Sequence, residues 1–109
     1  MSMSCEVRRE GEVVTFILGG EIYENDAATL KSQFTGLPLS EIKELVLDFG
    51  GVTYIGSSAI GKMLIFYKQL AAHHAKMRLS NTPETIAALF RALKLNGLFP
   101  VEQENVEGW

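Results

Sequence analysis

The chain predicts an α/β fold: a small mixed β-sheet of about four or five strands with α-helices packed on it. Three observations carry this. Short runs rich in β-branched and aromatic residues, "VVTFIL" over 13–18 and "ELVLDF" over 44–49, read as strands. Apolar residues elsewhere recur at helical spacing, most clearly Ile60, Met63, Leu64, Tyr67, Leu70 and Ala71. The length of 109 residues, 47% of them hydrophobic and 21% charged, suits one domain over 1–109 with a single two-layer core.

Taken in order, Ser4–Arg9 alternates weakly and reaches a turn signal at Glu10-Gly11-Glu12. With Val13–Leu18 it reads as a hairpin, closed by Gly19-Gly20. Glu24-Asn25-Asp26 offers N-cap chemistry for a helix over roughly Asp26–Phe34, which ends before Gly36 and Pro38. Glu44–Phe49 is nearly continuous apolar sequence, as in a central strand, and Gly50-Gly51 is expected to break it. The helical stripe begins beyond Ser57. Lys76–Ser80 fits a fourth strand, and "NTPETIAALFRAL" a third helix. In that helix Thr82 is the expected N-cap, Pro83 the first helical residue, and Ile86, Leu89, Phe90 and Leu93 the inward face. Asn96-Gly97 ends it, Phe99–Glu102 reads as a last short strand, and the tail "NVEGW" as loose chain with Trp109 able to dock on an apolar patch.

Composition removes several functions. A net charge of −3, from 10 basic and 13 acidic side chains with no basic run beyond "VRR", argues against nucleic acid. The single Cys5 precludes an internal disulfide and leaves no thiolate set for a metal. His73 and His74 are adjacent, so on a helix they point about 100° apart and read as solvated residues, not as a ligand pair. The N-terminus lacks a signal pattern and no apolar run is long enough to insert in a membrane, so a reducing cytoplasm is the expected location. No cofactor is expected, and no Ser-His-Asp, metal or paired-carboxylate constellation suggests an enzyme. A monomer is favoured, since no coiled-coil seam or long exposed apolar strand demands a partner copy.

Gly56–Lys62, "GSSAIGK", fits the frame of a phosphate-binding loop, yet three features oppose that reading. Met63 follows the lysine where a Mg²⁺-holding Ser or Thr is needed. Gly50–Ile55 separates the motif from its strand, and the stripe from Ile60 places Gly61 and Lys62 inside a helix. Lys62 is then a solvated helix residue, and Gly61 serves close packing on the sheet or a flat face for a partner. Ser57 and Ser58 have two readings. One is helix capping, a stabilisation of about 1 kcal/mol. In the other, an exposed hydroxyl sits where orphan N–H groups and the helix dipole favour an added phosphate.

The stretch "ELVLDFGGVTYIGSSAIGKMLIFYKQL" resembles the signature region of the STAS domain family, the bacterial anti-sigma factor antagonists. Leu45–Asp48 matches the family's apolar strand ending in Asp, Val52 and Tyr54-Ile55 its loop, Ser57-Ser58 its serine pair, and Ile60-Gly61 its apolar-glycine step. "GGEIYENDAATL" resembles the stretch leading into the first helix, and "MRLSNTPETIAALFRALKLNGLF" the last strand and helix. The resemblance covers nearly the whole chain in order.

It implies the STAS fold and a partner-switching role without catalysis. The unphosphorylated protein would bind an anti-sigma factor that is itself a serine protein kinase. That kinase would phosphorylate Ser57, with Ser58 as its neighbour, and a metal-dependent serine phosphatase would reverse it. The implied partner surface comprises Tyr23, Glu24, Asn25, Gly56, Ser57, Ser58, Ala59 and Lys62. The sequence departs from the pattern where Gly56 replaces the aspartate before the acceptor, Tyr23 stands at an often acidic position, and Ala59 replaces a glycine. The surroundings of Ser57 are accordingly expected to be less negative, and Gly56 to loosen the backbone. The alternative is a STAS interaction module that takes no phosphate, in a signalling scaffold or a membrane-transport complex.

Overall fold

The computed structural model describes residues 3–104. The expectations for the "NVEGW" tail lie outside the described residues. The chain forms β1 (Ser4–Glu10), β2 (Val13–Ile22), α1 (Glu24–Thr35), β3 (Glu44–Ile55), α2 (Ser57–Ala72), β4 (Lys76–Thr82), α3 (Glu84–Ala92) and β5 (Val101–Gln103). Short 3₁₀ turns at Leu39–Glu41 and Leu95–Gly97 link them.

The strands make one five-stranded sheet in the order β1-β2-β3-β4-β5. Only the β1–β2 hairpin is antiparallel; each later neighbour is parallel, and so needs a helical crossover. Crossovers of one hand along a sheet that advances in one direction place α1, α2 and α3 on the same face. Phe16, Leu18, Leu45, Leu47, Phe49, Met77 and Leu79 from the strands are buried in one cluster with Leu30, Phe34, Met63, Phe66, Leu70, Ile86 and Phe90 from the helices. Phe34 stacks on Phe66 at 4.2 Å to lock α1 against α2, and Phe90 meets Phe49 edge-on at 6.1 Å. The other face carries half-buried Thr15, Ile17, Asp48, Arg78 and Ser80. There Arg78 bridges Glu44 and Glu102 at 3.1 and 2.8 Å, tying β3, β4 and β5 together.

The structure corrects five local expectations. Neither glycine pair ends its strand: β2 runs through Gly19-Gly20 to Ile22, and β3 through Gly50-Gly51 to Ile55. Between the Ile17–Asp48 and Gly19–Gly51 pairs β2 advances two residues and β3 three; between Gly20–Val52 and Glu21–Tyr54 it is one against two. Two bulges therefore bend β3 while pairing continues. Glycine is needed there because a Cβ on Gly51 would lie 3.2 Å from the Gly19 Cα, and Gly20 has φ +81°.

Thr82 is not a helix cap. It is the last residue of β4, with its carbonyl accepting from the Glu104 N–H, and Pro83 takes the N-cap position with extended ψ. Leu93 is 49% exposed because α3 stops at Ala92, so the helix also ends before Asn96-Gly97, which form a separate 3₁₀ turn. The last strand is Val101–Gln103, and Phe99 ahead of it is a core residue. Gly61 does not pack closely, since a Cβ there would meet nothing within 4 Å.

Candidate functional site

The bulged extension of β2 and β3 builds the site. Beyond the glycines the strands re-pair as far as Ile22 and Ile55, both buried, and the Gly56 N–H donates to the Ile22 carbonyl at 2.9 Å. The chain leaves β2 through Tyr23 into α1 and leaves β3 through Gly56 into α2, so two helix N-termini start side by side. Tyr23 is the N-cap of α1, and its N–H donates to the Asp26 carboxylate at 2.9 Å. Asp26 therefore acts from the third helical position, closing back on the cap, and is 7% exposed. Glu24 and Asn25 are exposed in that first turn.

Gly56 is the N-cap of α2 and supplies no side chain to the orphan N–H groups of the first turn. Ser57 and Ser58 are its first two helical residues and both are exposed. No side chain caps this helix, so the capping reading of the serines is not what the fold uses. No acidic side chain lies in the first turn either. Gly56 itself has φ −89° and ψ 167°, extended backbone open to any residue, which removes the expected loosening as a reason for glycine. Ala59 is buried and keys the helix to the core, while Lys62, one turn beyond Ser58, is half-buried.

The neighbour of this turn is a residue to which the sequence pattern assigns no binding role. Tyr54, near the end of β3, packs its ring at 5.1 Å from that of Tyr23, tilted by 35°, and the two residues are 46% and 45% exposed. The Tyr54 hydroxyl lies 3.7 Å from where a Cβ on residue 56 would stand. Hydrogen bonding to the Glu21 carboxylate, with its charge adding, raises the Tyr23 phenol above its ordinary range. Val52 and Tyr54 would share a face in a regular strand, yet Val52 is buried and Tyr54 exposed, so the bulge between them is what turns Tyr54 outward.

Cavities of about 440 and 330 Å³ lie elsewhere, one lined by Arg8, Thr15, Ile17 and Asp48, the other by Tyr67, Met77, Arg78 and Leu98. Neither is lined by any of the eight predicted residues. Asp48 is structural: its carboxylate accepts from the Gly50 N–H at 2.9 Å and the Asn81 amide at 3.1 Å, clamping the first bulge. Among the described residues, no group of three or more His, Cys, Asp or Glu is placed to hold a metal, and no helix is long and apolar enough to cross a membrane.

A family model described as the STAS domain matches residues 4–107. The chain belongs to the STAS domain family. Its fold is also that of solved STAS-like structures. The anti-sigma factor antagonist SpoIIAA in its unphosphorylated form aligns with a TM-score of 0.75 at 18% identity, over 95% of this chain and 91% of that one. The Bacillus cell fate determinant SpoIIAA in its phosphorylated form gives 0.74 at 18% identity, over 95% and 93%. An anti-sigma factor antagonist from Mycobacterium paratuberculosis gives 0.80 at 18% identity, over 92% and 85%. At these identities the likeness is one of fold.

Proposed function

We propose that this STAS domain is a partner-switching regulator of the anti-sigma factor antagonist kind. Unmodified, it docks on an anti-sigma factor that is a serine protein kinase, through Tyr23, Glu24, Asn25, Gly56, Ser57, Ser58 and the helix face around Lys62. Phosphate on Ser57 releases the partner, and a serine phosphatase restores binding.

The observation that carries this reading is the pair of exposed hydroxyls in a first turn that has neither side-chain cap nor acid. An added phosphate there meets free N–H groups and the positive end of the dipole, so the fold tolerates it. The same phosphate brings nearly two negative charges beside the exposed Tyr23 and Tyr54 rings, at a helix start with no acid of its own, and that change disrupts the docked interface. The likeness to SpoIIAA, solved in unphosphorylated and phosphorylated forms, supports the same switch.

A second reading draws on Gly56 and Tyr23, which stand where the family pattern carries acids: a STAS interaction module in a scaffold or transport complex that takes no phosphate. Peptide mass spectrometry on the protein from its native cell, with and without phosphatase, separates the two. Phosphate on Ser57, together with partner binding weakened by Ser57→Asp at unchanged thermal stability, is the expected result. Unmodified Ser57 under stressed and unstressed growth alike, with equal binding by both forms, selects the second reading. Ser57→Ala should leave stability within about 0.5 kcal/mol of the parent, because the hydroxyl caps nothing.

A further inference from the structure

β1 is an edge strand of seven residues, and its free edge has an order in its charges. In an antiparallel ladder, facing residues alternate between pairs that exchange both backbone hydrogen bonds and pairs that exchange none. The two-residue turn at Gly11-Glu12 closes the hairpin on Glu10 and Val13, and the register continues through Arg8–Thr15 and Glu6–Ile17. These pairs face inward. The N–H and C=O groups of Cys5, Val7 and Arg9 therefore point away from β2, along the open edge.

We propose that this edge pairs with a second copy of the chain, β1 antiparallel to β1 about a two-fold axis at Val7. In that register Val7 faces Val7 of the other copy and Cys5 faces Arg9, so the outward backbone groups meet as exchanging pairs. Glu6 then stands opposite Arg8, and by symmetry Arg8 opposite Glu6. Neighbouring two-fold registers with the same backbone match lose this. An axis at Glu6 opposes Glu6 to Glu6, and one at Arg8 opposes Arg8 to Arg8. Opposite charges across a ladder stabilise and like charges destabilise, so the pattern selects one register.

Glu6 and Arg8 lie on the same sheet face, 2.6 Å apart as an ion pair, with side chains 59% and 65% exposed. Both are free to extend the pair across the axis into a four-charge row. Charged edges ordinarily deter strand addition. Here alternating signs deter a foreign or mis-registered strand but fit the chain's own copy. The result is a continuous ten-stranded sheet from two five-stranded ones, in place of the monomer expected from composition. This inference does not rest on the Ser57 switch.

Sedimentation equilibrium on the full chain tests it, with Glu6→Arg, Arg8→Glu and the double exchange Glu6→Arg/Arg8→Glu. These side chains are exposed, and circular dichroism checks that each variant folds. The parent should show a concentration-dependent dimer that weakens with salt. Each single reversal should weaken it by roughly tenfold or more, since two symmetric pairs turn repulsive. The double exchange should restore it, because the pairs become complementary again. A parent that stays monomeric into the hundreds of micromolar range overturns the proposal. So does a dimer indifferent to the single reversals, or one that the double exchange fails to rescue.

Discussion

Gly56→Asp tests the account of the α2 start most directly. Residue 56 is the N-cap, its backbone is extended, and a Cβ would sit 3.5 Å from the Ile22 carbonyl oxygen and 3.7 Å from the Tyr54 hydroxyl, both ordinary contacts. Nothing in the fold requires glycine there. Three gains follow. Replacing glycine by a residue with a side chain reduces the freedom of the unfolded chain, by about 0.4–1 kcal/mol. A capping carboxylate improves on a glycine cap by only a few tenths of a kcal/mol. A negative charge at a helix start with no other acid adds about 0.3–1 kcal/mol. The sum is roughly 1–2 kcal/mol, which in a domain near 100 residues raises Tm by about 5–10 °C.

The introduced carboxylate is held ionised by the N–H groups it accepts from, so its folded pKa falls below the unfolded value near ~3.9. Its electrostatic share of the gain is therefore present above that value and is lost as pH falls through the folded pKa. Thermal unfolding followed by circular dichroism at pH 7 and at about pH 2.5 reads both quantities. A Tm at pH 7 equal to or below that of the parent would refute the cap geometry. A gain of the same size at both pH values would refute its electrostatic part.

Two further outcomes follow from the packing. Phe66→Ala removes a ring that is 1% exposed and stacked on Phe34, and should cost about 3–5 kcal/mol in urea unfolding, a large share of the stability of a small domain; a loss under about 1 kcal/mol would mean that α1 and α2 do not meet through these rings. Burial raises the thiol of half-buried Cys5 above its ordinary value, so at pH 8 it should react with a disulfide reagent more slowly in the folded chain than in urea. The stability linked to that proton is whole below the ordinary thiol pKa and is lost as pH rises through the folded one. Equal rates in folded and unfolded protein would place Cys5 in full solvent.

Element type and order were legible in the sequence because they depend on periodicity along the chain. The spacing of Ile60, Met63 and Leu70 marks α2 whatever lies around it, and all three are buried. The "GSSAIG" run and its preceding strand marked the family, and the family model agrees. The tertiary structure decided what local pattern leaves open. Gly19-Gly20 and Gly50-Gly51 read as strand ends from their own propensity, yet they become bulges because the facing strand continues the ladder past them. Thr82 reads as a cap, yet pairing with Gln103 draws it into the sheet. The tyrosine pair beside Ser57 joins the N-cap of α1 to the end of β3, and no spacing in one segment encodes a distance between two. A residue's own chemistry limits the conformations available to it, and the partner across the ladder chooses among them.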